Sequence, residues 1–249
     1  MMIFSHINPE FQHLKNEILT LPERFKNEGE VLEKDRNVIK IISVDGIPMN
    51  VKSFKIPNPI NRLAYAYVRP SKAERSYKYA ELLQGKGVGT PKPVAYIIYK
   101  DLLGISHSYY ISLQQEHDFL FRDLKQQNPP EMVQILKEFT RFTHHFHTQG
   151  IYFIDHSPGN TLIKKTGQHY DFYLVDLNRI KFMPIDPLTG LKNFYRLNAT
   201  DTMIDIIADE YAHLTNSDSQ EMIRLLKDWT HAHDAKVLER KRKKGIIKG

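Results

Sequence analysis

The sequence predicts an α+β fold in two lobes, strand-rich over residues 1–113 and helix-rich over residues 114–249. Three observations carry this expectation. Short apolar segments flank a "DG" turn at residues 45–46 in the first part. In the second part, apolar residues recur at three- and four-residue steps along "PPEMVQILKEFTRFTHHFHTQG". Hydrophobic residues make up 41% of the 249 and aromatics 11%, enough to fill a core without covalent staples. The chain has no cysteine, which excludes disulfides, thiolate metal sites and cysteine nucleophiles.

The elements follow in order. "INPEFQHLKNEILTL" reads as a short helix, with Asn8 as N-cap, Pro9 in the first turn and Phe11, Leu14 and Ile18 on one face. Residues 30–32, 37–44 and 47–56 read as three strands of a meander, the last two joined at Asp45-Gly46. "SKAERSYKYAELLQGKGVGTP" changes to helical spacing through Ala73, Tyr77, Ala80 and Leu83, and Gly85, Gly87 and Pro91 end it. Strands near 94–99 and 108–113 complete the first lobe. The second opens with a long helix carrying Met132, Ile135, Leu136, Phe139, Phe142 and Phe146, stopped by Gly150. A hairpin of "TLIKK" and "YDFYLV" comes next, then two helices, the last starting near Ser219 and carrying Met222, Leu226 and Trp229. No internal repeat or low-complexity linker interrupts this order.

Charge and hydropathy bound the setting. The N-terminal stretch lacks a basic segment followed by a long apolar one, and no apolar run approaches membrane-spanning length. The expectation is a soluble, cytoplasmic protein. The net charge is +6, and the tail from Lys236 to Gly249, with seven basic residues and one acid, accounts for all of it. The body shows no positive surplus, so nucleic acid is not an expected partner. The tail is open to two readings: a solvated end, or a contact with an anionic membrane surface that would keep the protein peripheral on the inner membrane.

The chemistry concentrates in "GIYFIDHSPGNTLIKK". Asp155 and Asn160 lie five apart on a loop between the long helix and the hairpin, and the far strand of that hairpin ends in "YLVDLN" with Asp176. Phosphoryl transfer from a nucleotide needs a carboxylate to orient the attacking hydroxyl and accept its proton, here Asp155. It needs hard oxygen ligands for magnesium, here Asn160 and Asp176. It needs a cation on the nucleotide phosphates, for which Lys52 in "NVKSF" is the candidate. The bland reading, in which Asp155 and Asn160 only form a turn, explains neither the order of elements nor the third acid. Tyr195, Arg196, Asp201 and Trp229 are open to lining an acceptor pocket, although ordinary helix packing accounts for them more simply. Zinc at His144, His145, His147 and His156 is disfavoured, because no cysteine joins them.

The stretch "IDHSPGN" followed by "VDLN" resembles the catalytic loop and metal-binding triplet of the protein-kinase-like superfamily. Within it, "SKAERSYKYAELLQGKGVGTPKPVAYI" is similar to the helix-plus-strand unit of the bacterial lipopolysaccharide kinases (the Kdo/WaaP group), and the resemblance spans roughly residues 29 to 180. It implies a two-lobed protein-kinase-like fold and ATP-dependent transfer, with Mg2+, to a sugar hydroxyl (Kdo or heptose) of the lipopolysaccharide inner core. Asp155 would be catalytic, Lys52 and Glu74 would serve the nucleotide, and Asn160 and Asp176 the metal. Three departures stand against the pattern. Phe153 occupies the position two before Asp155 where histidine is common. "EKDRN" (33–37) replaces a glycine-rich phosphate loop, leaving Lys34, Arg36 or Asn37 to compensate. The partner of Lys52 falls on Ser76 by position. Glu74 is the nearest acid but also completes a capping box with Ser71, and Glu81 lies on a less favourable face. Two other functions stay open: a soluble small-molecule or protein kinase of the same fold, and a pseudokinase interaction module.

Overall fold

The computed structural model describes residues 2–34, 37–55, 70–102 and 104–246. The chain divides into two compact units, Met1–Glu116 and His117–Gly249.

The first unit is a six-stranded antiparallel sheet with helices. Its strands are β1 (Met2–Ile7), β2 (Glu30–Lys34), β3 (Val38–Val44), β4 (Ile47–Ser53), β5 (Pro93–Asp101) and β6 (Gly104–Leu113), in the spatial order β1-β5-β6-β4-β3-β2. The meander β2-β3-β4 turns at Asp45 and Gly46, both with positive φ (49° and 75°), as the right-handed twist of the flanking strands requires of a tight hairpin. β5 and β6 run much further toward each other than 94–99 and 108–113, and they pair as far as Asp101↔Gly104. β1 was not legible in the sequence. It pairs with β5 from Met2↔Lys100 to Ile7↔Ala95, and its side chains are exposed except Ile7, so it carries no inward apolar pattern.

Asn8 caps as expected, its side chain accepting from Glu10 N, but the turn it starts is a 3-10 segment (Pro9–Leu14) that continues into helix α1 (Lys15–Arg24). Phe11, Leu14, Ile18 and Leu21 bury against Ile42, Val44, Met49, Val51, Val94, Ile97 and Ile111 of the sheet. Helix α2 (Lys72–Gly85) starts at Ser71, whose Oγ accepts Glu74 N at 3.0 Å, and buries the expected stripe of Ala73, Tyr77, Ala80 and Leu83.

The second unit is mainly helical: α3 (Phe121–Gln127), α4 (Met132–Thr148), α5 (Pro187–Lys192), α6 (Asp201–Thr215) and α7 (Ser219–Lys243). Its short strands are β7 (Phe119–Leu120), β8 (Ile151–Phe153), β9 (Thr161–Thr166), β10 (His169–Leu174) and β11 (Ile180–Phe182). They form a β10-β9-β7 sheet and a β11-β8 ribbon. The core gathers Ile135, Leu136 and Phe139 of α4, Phe172 of β10, Ile204, Ile207 and Tyr211 of α6 and Leu226 of α7. Beyond His233, α7 runs on for about 15 Å with few buried side chains. No helix among the described residues is long and apolar enough to cross a membrane.

Candidate active site

In the second unit, α4 delivers the chain to the site through Gly150. Its φ of +70° sends the chain into β8, and an added Cβ would lie 3.2 Å from Met183 O, which belongs to the strand-end that Gly150 O binds. The β8–β11 ribbon pairs Phe153 with Ile180, so the next residue on one strand and the preceding one on the other meet: Ile154 N donates to Arg179 O at 3.3 Å. Asp155 follows at once. Its backbone carbonyl accepts Asn160 Nδ2 at 2.8 Å and Ser157 N at 2.7 Å, and Asn160 N returns to Ser157 O at 2.9 Å. The segment from Asp155 to Asn160, with four residues between, is therefore one closed turn, locked by the amide side chain itself.

The β9–β10 register brings the second acid to the same end. Thr161 pairs with Leu174, and one step further Val175 N donates to Asn160 O at 3.0 Å, which leaves Asp176 beside Asn160 at the open end of the hairpin. Asp176 sits at φ +59°, a left-handed conformation that aspartate tolerates better than most residues, and its Oδ1 accepts Asn178 Nδ2 at 2.6 Å. Because Asn160 uses its amide nitrogen on Asp155, its carbonyl oxygen is the atom left to offer a cation. Together with the Asp176 carboxylate this is a set of hard oxygen donors suited to magnesium. Among the described residues, no three His, Asp or Glu side chains converge as a metal cluster.

The Asp155 carboxylate is 19% exposed and lies between two arginines, which the pattern of acids did not reveal. Arg179 Nε approaches Oδ2 at 3.5 Å, and Arg196 Nη1 approaches Oδ1 at 3.4 Å while donating to Ile154 O at 3.0 Å. The signal available for Arg179 was its place three residues after Asp176. Arg196 thus belongs to the site, whereas its sequence neighbours follow ordinary packing. Trp229 and Tyr195 lean on the core, and Asp201 pairs with His231 at 2.7 Å.

His156, next to Asp155, points inward. It is fully buried among Phe139, Phe146, Phe153 and Phe194, with ring centroids 5.4 to 5.9 Å away, and the Asn193 backbone lies near its ring, too poorly placed for a well-formed hydrogen bond. Burial, with a smaller contribution from nearby His147, pushes its pKa down to about 3. Phe153 is a wall of this cage. His147 is held differently. Asn193 Nδ2 donates to Phe153 O at 2.8 Å, which turns Asn193 Oδ1 toward His147 Nε2 at 3.1 Å. The neutral ring then carries its proton on Nε2, and Nδ1 accepts from Tyr211 O–H at 3.0 Å. Burial pushes His147 down to about 4. A hydrogen-bonded strut thus runs from α6 through α4 and Asn193, just beyond α5, to the residue two before Asp155.

The first unit holds the remaining residues. Lys52 is buried on β4, between Ile39 of β3 and Tyr110 of β6, with its ammonium 5.5 Å from the Phe54 ring centre. The Glu74 carboxylate, the candidate partner for Lys52, pairs with Lys78 one turn along the same helix at 2.7 Å. Glu81 accepts Tyr77 O–H at 2.8 Å, and Ser76 is buried. Of the residues in the phosphate-loop position, Asn37 Oδ1 accepts from Lys55 N at 3.4 Å. Arg36 and the Lys34 side chain lie outside the described residues.

No protein-family model and no curated protein matches this chain. Among solved structures, its fold is similar to the one described as "WaaP in complex with acyl carrier protein", with a TM-score of 0.62 and 17% sequence identity. The match covers 95% of this chain and 99% of that one. An antiparallel sheet in the N-terminal region and helices in the C-terminal region make this a kinase-like fold of the WaaP kind.

Proposed function

We propose that this protein is an ATP-dependent kinase that phosphorylates a sugar hydroxyl, on Kdo or heptose, of the lipopolysaccharide inner core. The observation that carries the reading is the single end of the β9–β10 hairpin, where Asn160 bonds the backbone of Asp155 and of Val175, the residue before Asp176. The likeness of the fold to WaaP supports the same reading. Asp155 orients the acceptor hydroxyl and takes its proton. Asn160 and Asp176 would hold magnesium, which supplies charge neutralisation on the nucleotide phosphates, and Lys52 would face those phosphates. The basic end of α7 would keep the enzyme on an anionic membrane surface where its glycolipid acceptor lies.

The test is ATP-dependent transfer of phosphate to purified core glycolipid, wild type against Asp155→Ala. Transfer that Asp155→Ala reduces by three orders of magnitude or more supports the reading, since such a base and its positioning are together worth at least about that much. Transfer only to soluble sugars or peptides would move the acceptor and keep the chemistry. The WaaP structure also contains an acyl carrier protein, a kind of partner that the sequence did not suggest. Co-purification with an acyl carrier protein is the direct check for this chain.

A further inference from the structure

We propose that Arg179 and Arg196 form an anion clamp for the acceptor, so that the accepting glycan carries a carboxylate or phosphate close to the hydroxyl that is phosphorylated. This rests on Asp155 being the residue that receives the hydroxyl. Two guanidiniums face the one Asp155 carboxylate. Both contacts to Asp155 are long and single, not the paired bonds of a fork closed on a carboxylate. Arg179 commits only its Nε, and its side chain is 61% exposed. Arg196 commits only Nη1. Among the described residues neither has a second carboxylate partner, so most of their five N–H groups each remain for a ligand.

The placement sets the distance. An acceptor hydroxyl lies about 3 Å from Asp155 when it gives up its proton. The guanidiniums contact the same carboxylate at 3.4 and 3.5 Å. With one more hydrogen bond of about 3 Å from guanidinium to ligand, an anionic group held by either arginine falls within roughly 10 Å of that hydroxyl, on the same sugar or its neighbour, with planar forks that match carboxylate or phosphate. Arg196 also faces inward on the helical side: its charge is felt by Tyr152 of β8 and by His233 of α7, whose pKa is lowered chiefly by burial. The clamp is assigned to the acceptor because both arginines stand on Asp155, the residue that receives the acceptor hydroxyl.

The test uses acceptors that differ only in charge: a Kdo glycoside against its methyl ester, and a heptose phosphate against the unphosphorylated heptose. Binding is read by saturation-transfer NMR and titration calorimetry for the full chain, for Arg179→Gln and for Arg179→Gln/Arg196→Gln. Wild type should prefer one charged acceptor over its neutral partner by about tenfold or more, as one hydrogen bond to a charged group is worth. The pair that shows the preference identifies carboxylate or phosphate as the source. Arg179→Gln should reduce the preference and the double variant should abolish it. Because binding needs no turnover, the preference is measurable even if no acceptor is phosphorylated, which would sink the kinase reading alone. Where turnover is seen, the variants should raise KM for the charged acceptor more than for its neutral partner. Equal binding of charged and neutral acceptors by wild type would overturn the clamp. So would a preference that survives in a folded Arg179→Gln/Arg196→Gln variant, or an equal fall in kcat on both acceptors, which would mean that the arginines act on Asp155 or on the transferred phosphoryl group. Arg179→Gln keeps the test informative should the loss of the Ile154 contact unfold the double variant.

Discussion

Replacing His156 by phenylalanine should stabilise the protein, and more so in acid. The imidazole sits in a cage of four phenylalanines with no well-formed hydrogen bond to either nitrogen and the Asn193 backbone nearby, so a phenyl ring removes two buried polar atoms from an apolar wall. At pH 7.5 the gain should be about 1–2 kcal/mol, the desolvation cost of an unsatisfied buried group. The pH dependence follows from the depressed pKa. The folded state holds His156 neutral down to about pH 3, whereas an unfolded histidine takes up a proton near pH 6.5. The unfolded chain therefore binds more protons below 6.5, and the stability present above that pH is lost as pH falls toward 3. At pH 5 the loss is about 2 kcal/mol for this residue, and His147, pushed down to about 4, adds a similar amount. Urea unfolding of wild type and His156→Phe at pH 7.5 and pH 5 separates the two, because every other titrating group is common to both proteins. The advantage of the variant should widen by about 2 kcal/mol between the two pH values. A difference that does not change with pH, or a variant less stable than wild type at pH 7.5, would refute the caged neutral histidine.

Other substitutions probe the strut and the tail. Gly190→Ala would place a Cβ 1.8 Å from Tyr211 Oη and 3.0 Å from His147 Nδ1, so it should cost about 2–4 kcal/mol in denaturant unfolding. Tyr211→Phe leaves His147 Nδ1 without its donor and should cost about 1–2 kcal/mol, but it also removes the atom that Gly190→Ala hits hardest. The double variant should therefore be at least about 1 kcal/mol more stable than the sum of the singles, and simple additivity would show that the two side chains do not meet. Truncation after Leu238 removes six basic residues, each worth about 1 kcal/mol at an anionic surface, so affinity for phosphatidylserine vesicles should fall at least about a hundredfold. Unchanged vesicle binding would leave the tail a solvated end.

Much of the fold was legible because its determinants are local. The Asp45-Gly46 hairpin, the caps at Asn8 and Ser71 and the stripe from Ile135 to Phe146 are interactions over two to four residues, where composition alone selects the backbone. The loop from Asp155 to Asn160 belongs with them, since the asparagine closes its own turn. Glu74 also finds a local partner that the sequence analysis did not name, Lys78 on the next turn.

What the sequence could not supply was the partner of each charge and polar ring. β1 has an exposed edge-strand pattern and is defined only by pairing with β5, more than 80 residues away. Arg196 reaches Asp155 across 41 residues, and Arg179 reaches it because β8 and β11 pair in one particular register. His156 reads as a polar loop residue, yet lies inside four phenylalanines drawn from three separate segments of the chain. The sequence by itself determined the helices, most strands and the spacing of the three oxygen-bearing residues, because those depend on neighbours along the chain. Only the tertiary structure decided which cations stand on Asp155 and which histidines are buried, because packing brings together groups whose separation in sequence carries no information about their separation in space.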